Sequence, residues 1–426
     1  MHISINRTLE RHLCLHYRFS TPTSVAFLPP FHAMQNEIWH DAPGAGRVCA
    51  PPPPAAAAAA INLFYYFFSQ RGARPCSYHR YRSSTSQAYQ SIRFYLAPER
   101  SNRMVSTRNQ SARSKSDVPT SAPPPYHSVL FVILAAVVFV KCLPTLETID
   151  EVATIETLTR GLFVGPAALA AARLLIAAFI LGVTAMRVMG PGVAPQPTYL
   201  PQSKLRAAPL HLVGLQSLAP FTLWCWVLLG VTFALAGAIP LLYTLDRVDL
   251  IHPWHLRLTL LAFEISAPCS FLVSTVVKYA LWPHSYRSKG SEGTKVFRSF
   301  YGIVTHNLNV IFVITEVALL GGLPVVLSHV AISPILGLVY VLFAWWMSGR
   351  WYRKEEGRGP QFLYFFLDTT LGWTTTKALV ALLVVLLVFY VAFSVIDDVL
   401  EHLEGGLIVH LIACVLASCL VCKIKD

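Results

Sequence analysis

The sequence predicts an all-α integral membrane protein, a polytopic bundle of about eight transmembrane helices preceded by a disordered N-terminal tail. Three observations lead there. Of 426 residues, 54% are hydrophobic and 13% charged, against roughly a quarter charged in a soluble domain. The apolar residues gather into runs near the length a bilayer demands, about 20 residues with a working range of about 17–25. The basic residues between those runs alternate from one side to the other.

The tail comes first. Residues 1–126 hold 14 Lys+Arg against 5 Asp+Glu, and 13 of the 14 are Arg. Pro51–Pro54 runs into Ala55–Ala60, and the rest mixes Asn, Ser and Arg without periodicity, a composition that buries no core. A solvated tail, an Arg- and Ser-rich transit peptide and a true start at Met104 are the three readings of it. The remaining residues, 127–426, carry 20 basic against 17 acidic groups. The net charge of +12 therefore belongs mostly to the tail, and nucleic acid is not an implied partner.

Candidate spans follow at 128–143, 162–188, 219–245, 258–282, 303–328, 332–348, 374–396 and 406–422. The aromatic stretch 361–373 is interrupted by Asp368 and reads as interfacial. With this count, the loops 189–218, 283–302 and 349–373 and the tail after 422 share one side and carry 12 Lys+Arg, whereas 144–161, 246–257 and 397–405 carry three. The positive-inside rule then places both termini in the cytosol. Trp224, Trp226, Trp282, Trp345, Trp346, Trp351 and Trp373 fall near the basic ends of these spans, as an aromatic belt would.

The few ionisable residues within spans include Arg173, Glu264, Lys278 and Glu316, with His306 near the start of the fifth span. Such groups are expensive at bilayer depth and face a partner or a cavity. Arg173 requires a partner that the sequence does not name. Glu264 and Lys278 lie about 21 Å apart along one helix and cannot pair. Lys278 can extend to the interface. In the fifth span His306, Asn309, Val313 and Glu316 fall within an arc of about 80° at 100° per residue. That polar stripe reads either as a structural network hydrogen-bonded to neighbouring helices or as part of a site. Thr222 opens the third span on the same side as His306, and a hydroxyl nucleophile needs an adjacent base.

Nine cysteines form no framework, and Cys419-x2-Cys422 is half a zinc site without a second half. No metal and no cofactor are expected. The sequence lacks a Gly-rich phosphate loop, a GxSxG elbow and an HExxH motif.

Three features stand out between about Ala219 and Asp368: the stretch Pro220-Phe-Thr-Leu-Trp-Cys-Trp226; His306 with Glu316 ten residues on; and Tyr340, Trp345, Trp346, Gly349, Trp351 and Tyr352 in an aromatic exit. Through them this region, some 35% of the chain, resembles the androgen-induced membrane-protein family and, more loosely, the rolling stone membrane proteins. Members of the first family include multi-pass threonine hydrolases of fatty-acid esters of hydroxy fatty acids. The resemblance implies Thr222 as nucleophile and His306 as base. Asn307 and Asn309 are then candidate oxyanion donors, and Glu316 supports the polar stripe. The insertion Arg353-Lys-Glu-Glu-Gly and the long loop 189–218 depart from the family pattern. The expectation is a lipid-ester hydrolase in endomembranes, those of the endoplasmic reticulum, with membrane lipids and a lipid ester as its ligands. A non-enzymatic rolling-stone-like protein of membrane organisation or fusion is the alternative, and a transporter is a second.

Overall fold

The computed structural model describes residues 119–321, 323–351, 359–403 and 406–425. The expected tail therefore lies almost wholly outside the described residues, as do Gly322, Tyr352 and the insertion beginning at Arg353. Among the described residues the chain forms helices and no strand, with one isolated bridge between Val193 and Leu212.

The helices are α1 (Tyr126–Lys141), α2 (Leu146–Val152), α3 (Ile155–Thr159), α4 (Pro166–Met189), α5 (Phe221–Thr244) and α6 (Pro253–Val276). They continue with α7 (Trp282–Arg298), α8 (Phe300–Leu320), α9 (Ser333–Met347), α10 (Trp373–Glu401) and α11 (Gly406–Val421). Among the described residues six segments are long and apolar enough to cross a bilayer, and a seventh if α1 and α2, bent by 64°, count as one. The 16-residue α11 is shorter and equally apolar. The starts follow local chemistry. Pro166 opens α4 and Pro253 opens α6, where a missing N–H costs nothing. The His252 side chain accepts from the Trp254 N–H at the head of α6.

Cross-links between helices sort onto two ends, as the expected alternation requires. At the end carrying the basic loops, the Tyr340 hydroxyl donates to Ala219 O at 3.0 Å and Lys278 Nζ to Cys419 O at 2.6 Å. The His127 ring stacks on Trp373 at the same end. At the far end, the Val325 N–H donates to Asp397 at 2.7 Å and His410 meets Ala318 O at 2.8 Å. Close approach of α4 and α5 depends on Gly230 and Gly237. A Cβ at Gly230 would lie 2.6 Å from the Ile180 side chain, and one at Gly237 lies 2.8 Å from that of Leu174, the small-residue packing familiar within bilayers.

Three expectations are corrected. The fifth span ends at Leu320, not 328: Gly321 turns at φ +81° and the described residues up to Val326 are not helical. The expected loop 283–302 is largely helical, as α7 and the start of α8. Trp226, Trp282 and Trp351 are buried in the protein, so the belt reading fails for them, whereas Trp346 and Trp373 are 58% and 60% exposed.

The long loop 190–218 folds against residues 359–372 into a platform over the basic-loop end. Buried Gln361 holds it: its amide donates to Arg206 O at 2.9 Å, and its carbonyl accepts from the Ala208 N–H at 3.1 Å and from Tyr199. Asp368, also buried, accepts from Ser203 and from Thr370. Desolvation pushes the Tyr199 phenol above its usual range.

Candidate functional site

Thr222 sits in the first turn of α5, whose leading N–H groups have no partner within the helix. Tyr364, from the platform, supplies one: its hydroxyl accepts from the Phe221 N–H at 3.2 Å. The Thr222 hydroxyl lies beside the same phenol, and burial pushes that phenol up to about 12. Tyr340 packs edge-on to Phe221 and Trp224 at the same spot. Thr222 thus stands in a tyrosine-lined helix cap.

His306 lies on α8 within a π-helical turn, Val304–Leu308. Its ring meets Phe297 of α7 edge-on, and Nδ1 is buried without a hydrogen-bond partner. No hydrogen bond joins His306 to Thr222 among the described residues. Asn309 is fully buried. Its carbonyl accepts from Ser274 of α6 at 3.1 Å, while its Nδ2 is left without a partner. Asn307 is committed elsewhere: its amide donates to Lys423 O at 3.0 Å and its carbonyl accepts from the Lys423 N–H at 2.9 Å. The stripe therefore divides, its members meeting α7, α6 and the chain after α11 in turn.

Glu316 meets a fourth neighbour. It forms a fully buried ion pair with Arg173 of α4, with Arg173 Nη2 at 2.5 Å and Nε at 3.1 and 3.2 Å from the carboxylate oxygens. The remaining guanidinium protons go to Leu158 O at 2.8 Å, Ala236 O at 3.1 Å and Gly321 O at 2.7 Å. Ala236 O is the carbonyl that Pro240, lacking an N–H, leaves without its helical donor. Arg173 repairs that gap while tying α4, α5 and α8 together.

A second buried pair was not foreseen as such. Glu264 accepts from the Val326 N–H at 3.0 Å, and its oxygens lie 2.9 and 3.0 Å from His329 Nδ1. The Tyr390 hydroxyl donates to Val326 O at 2.9 Å and Ser394 to Val325 O at 2.8 Å. These groups satisfy the non-helical stretch between α8 and α9, as backbone at membrane depth requires. The rarity of ionisable residues in the spans marked Arg173, Glu264 and Glu316. Their partners are not legible from the residues alone, and His329 carries no signal at all.

The two chemical centres are thus of different kinds. At the far end, the buried charged groups are paired, Arg173 with Glu316 and Glu264 with His329. Toward the basic-loop end, His306 Nδ1 and Asn309 Nδ2 are buried and unpaired, and such groups in native structures call for an explanation. An open depression of about 620 Å³ lies on the far end, lined by Glu156, Arg160 and Tyr243 among others, away from His306 and Asn309. Among the described residues no cluster of His, Cys, Asp or Glu is arranged to hold a metal. No protein-family model, no curated protein and no solved structure matches this chain.

Proposed function

We propose that this multi-pass membrane protein is a lipid-ester hydrolase, with His306 as general base and Thr222 as nucleophile. The observation that carries the reading is the pair of unpartnered polar atoms on α8, His306 Nδ1 and Asn309 Nδ2. An imidazole nitrogen held without a partner inside a π turn is a base awaiting a proton donor, and π turns of this kind are frequent at functional sites. Thr222 stands at the same end of the bundle and supplies the hydroxyl. Of the two asparagines, Asn309 is the better oxyanion donor, because its amide is free while that of Asn307 is bonded to Lys423. Attack by Thr222 on the carbonyl carbon forms the acyl-threonine and expels the alcohol. His306 takes the hydroxyl proton and returns it to the leaving oxygen, and water then cleaves the acyl group.

The reading requires Thr222 to leave Tyr364 for His306 when an ester is bound. The family likeness supplies the substrate class, esters of hydroxy fatty acids, and leans toward endomembranes. The asymmetry of the loop charges supports a cytosolic basic-loop end and cytosolic termini in this reading. The test is turnover of a panel of such esters by the purified chain in micelles, with fluorophosphonate labelling as a second probe. Thr222→Ala and His306→Ala are each expected to abolish turnover, and the double variant to be no worse than either. Labelling equal to that of Thr222→Ala, with no ester cleaved, sinks the proposal. A second reading, a non-enzymatic protein of membrane organisation, is favoured by the contact of Thr222 with Tyr364, which gives that threonine a purely structural place. The same assay decides between them.

A further inference from the structure

Three π-helical turns occur among the described residues: Val277–Leu281 following α6, and Val304–Leu308 and Glu316–Leu320 within α8. Such turns are rare and locally weaker than α-helix, so each needs compensation. All three meet the same element. From the first turn, Lys278 Nζ donates to Cys419 O at 2.6 Å and Leu420 O at 2.9 Å, and the Tyr279 hydroxyl donates to Leu420 O at 2.6 Å. These are the last carbonyls of α11, which lack helical donors. From the second, Asn307 brackets Lys423 with two hydrogen bonds, and its own carbonyl accepts from Cys422 Sγ at 3.7 Å. From the third, Ala318 O lies 2.8 Å from Nδ1 of His410 on α11. Lys423 Nζ adds a contact over the Trp282 ring.

The geometry points to α11 and the residues after it as the element that sets the helical register of α8, making Asn307, Lys278 and His410 positioning residues for His306. This rests on the proposed function only for its catalytic consequence. A π turn accommodates one residue more than an α turn. Were the turn at 304–308 to relax to α geometry, everything before it would rotate by about 100° relative to everything after it. His306 would then leave the position it holds against Phe297 and change its relation to Asn309. Two backbone carbonyls within the π turns of α8, Asn307 O and Ala318 O, are met by Cys422 and His410, so docking of α11 and the π register stand or fall together.

The experiment uses the full chain in lipid discs and two readouts independent of turnover. Cys422 reports docking: its thiol is partly buried against Asn307 O, so as the sole cysteine it resists a polar maleimide at neutral pH. Spin labels placed singly along 300–313 report register through the periodicity of their oxygen accessibility. In the reference chain the repeat breaks at 304–308. In the chain carrying Asn307→Leu and His410→Phe, Cys422 labelling is expected to rise about tenfold or more, and the accessibility repeat to become continuous at 3.6 residues. Lys278→Arg, which keeps the donors, leaves both readouts as they were. If Cys422 opens while the break persists, or if Cys422 stays unreactive, α11 does not set the register and the inference is overturned. A register change in a protein that hydrolyses no ester leaves this inference standing and defeats the proposed hydrolase.

Discussion

Replacing Glu316 by Gln tests the buried pair at its most exposed point of logic. The substitution keeps shape and leaves one oxygen to accept from Arg173, yet it strands a guanidinium that nothing else neutralises. A carboxylate can take up a proton when its partner is lost; a guanidinium cannot shed one. Removing one member of a fully buried pair costs roughly 3–5 kcal/mol. At about 2–4 °C per kcal/mol for chains of 150–250 residues, the midpoint of heat-induced aggregation in detergent should fall by roughly 6–20 °C. Arg173→Met removes the charge but also deprives Leu158, Ala236 and Gly321 of their donors. The two single effects should therefore not add, with a coupling of about 2 kcal/mol or more in the double variant. Adding Pro240→Ala to Arg173→Met should recover about 1 kcal/mol, because Ala236 O regains a helical donor. Strict additivity, or a Glu316→Gln midpoint within the error of the parent, would refute the argument that this pair ties α4 to α8.

Other outcomes follow from the same structure. Gly321→Ala should destabilise by about 1–2 kcal/mol or more in thermal melts, since φ is +81° there and the new Cβ would lie 2.9 Å from Leu162 N. Gln361→Ala removes bonds to Arg206, Ala208 and Tyr199, about 2–4 kcal/mol in all, and should open the loop 190–218 to limited proteolysis. The Arg257 hydrogen bond holds the Asp150 carboxyl below its usual range. Its folded value is the lower one, so its contribution is present above about pH 4 and is lost as pH falls through that folded value. Arg257→Gln should accordingly lower stability slightly at pH 7–9, leave it unchanged below the folded value, and so remove the acid-side slope of the stability profile.

Spans were legible because length and apolarity are local properties: the expected 374–396 lies inside Trp373–Glu401, and the expected 219–245 differs from Phe221–Thr244 by at most two residues at either end. Polar commitments were not. A stripe drawn at 100° per residue assumes unbroken α geometry, and α8 carries two π turns that no composition announces. Arg173 and Glu316 are 143 residues apart, and only packing brings them together. Trp226 and Trp282 looked interfacial by position yet fill the core, since position along a span does not say which neighbour a side chain meets. Thr222 and His306 were legible as residue types at one end of the bundle. Their present neighbours, a phenol and a phenylalanine, were not.

The dependence of α8 on α11 also bears on how the chain is made. Asn307 and Lys423 are 116 residues apart, and Ala318 and His410 are 92. At about 5–20 residues per second of synthesis, α8 waits roughly 6–23 s after entering the membrane before the segment that completes it exists. During that interval its freed amides and carbonyls must be met by lipid headgroups, water or the insertion machinery, or α8 must first settle as a regular helix and be rewound when α11 arrives. Native geometry at His306 is therefore acquired only after α11 and Lys423 have been made.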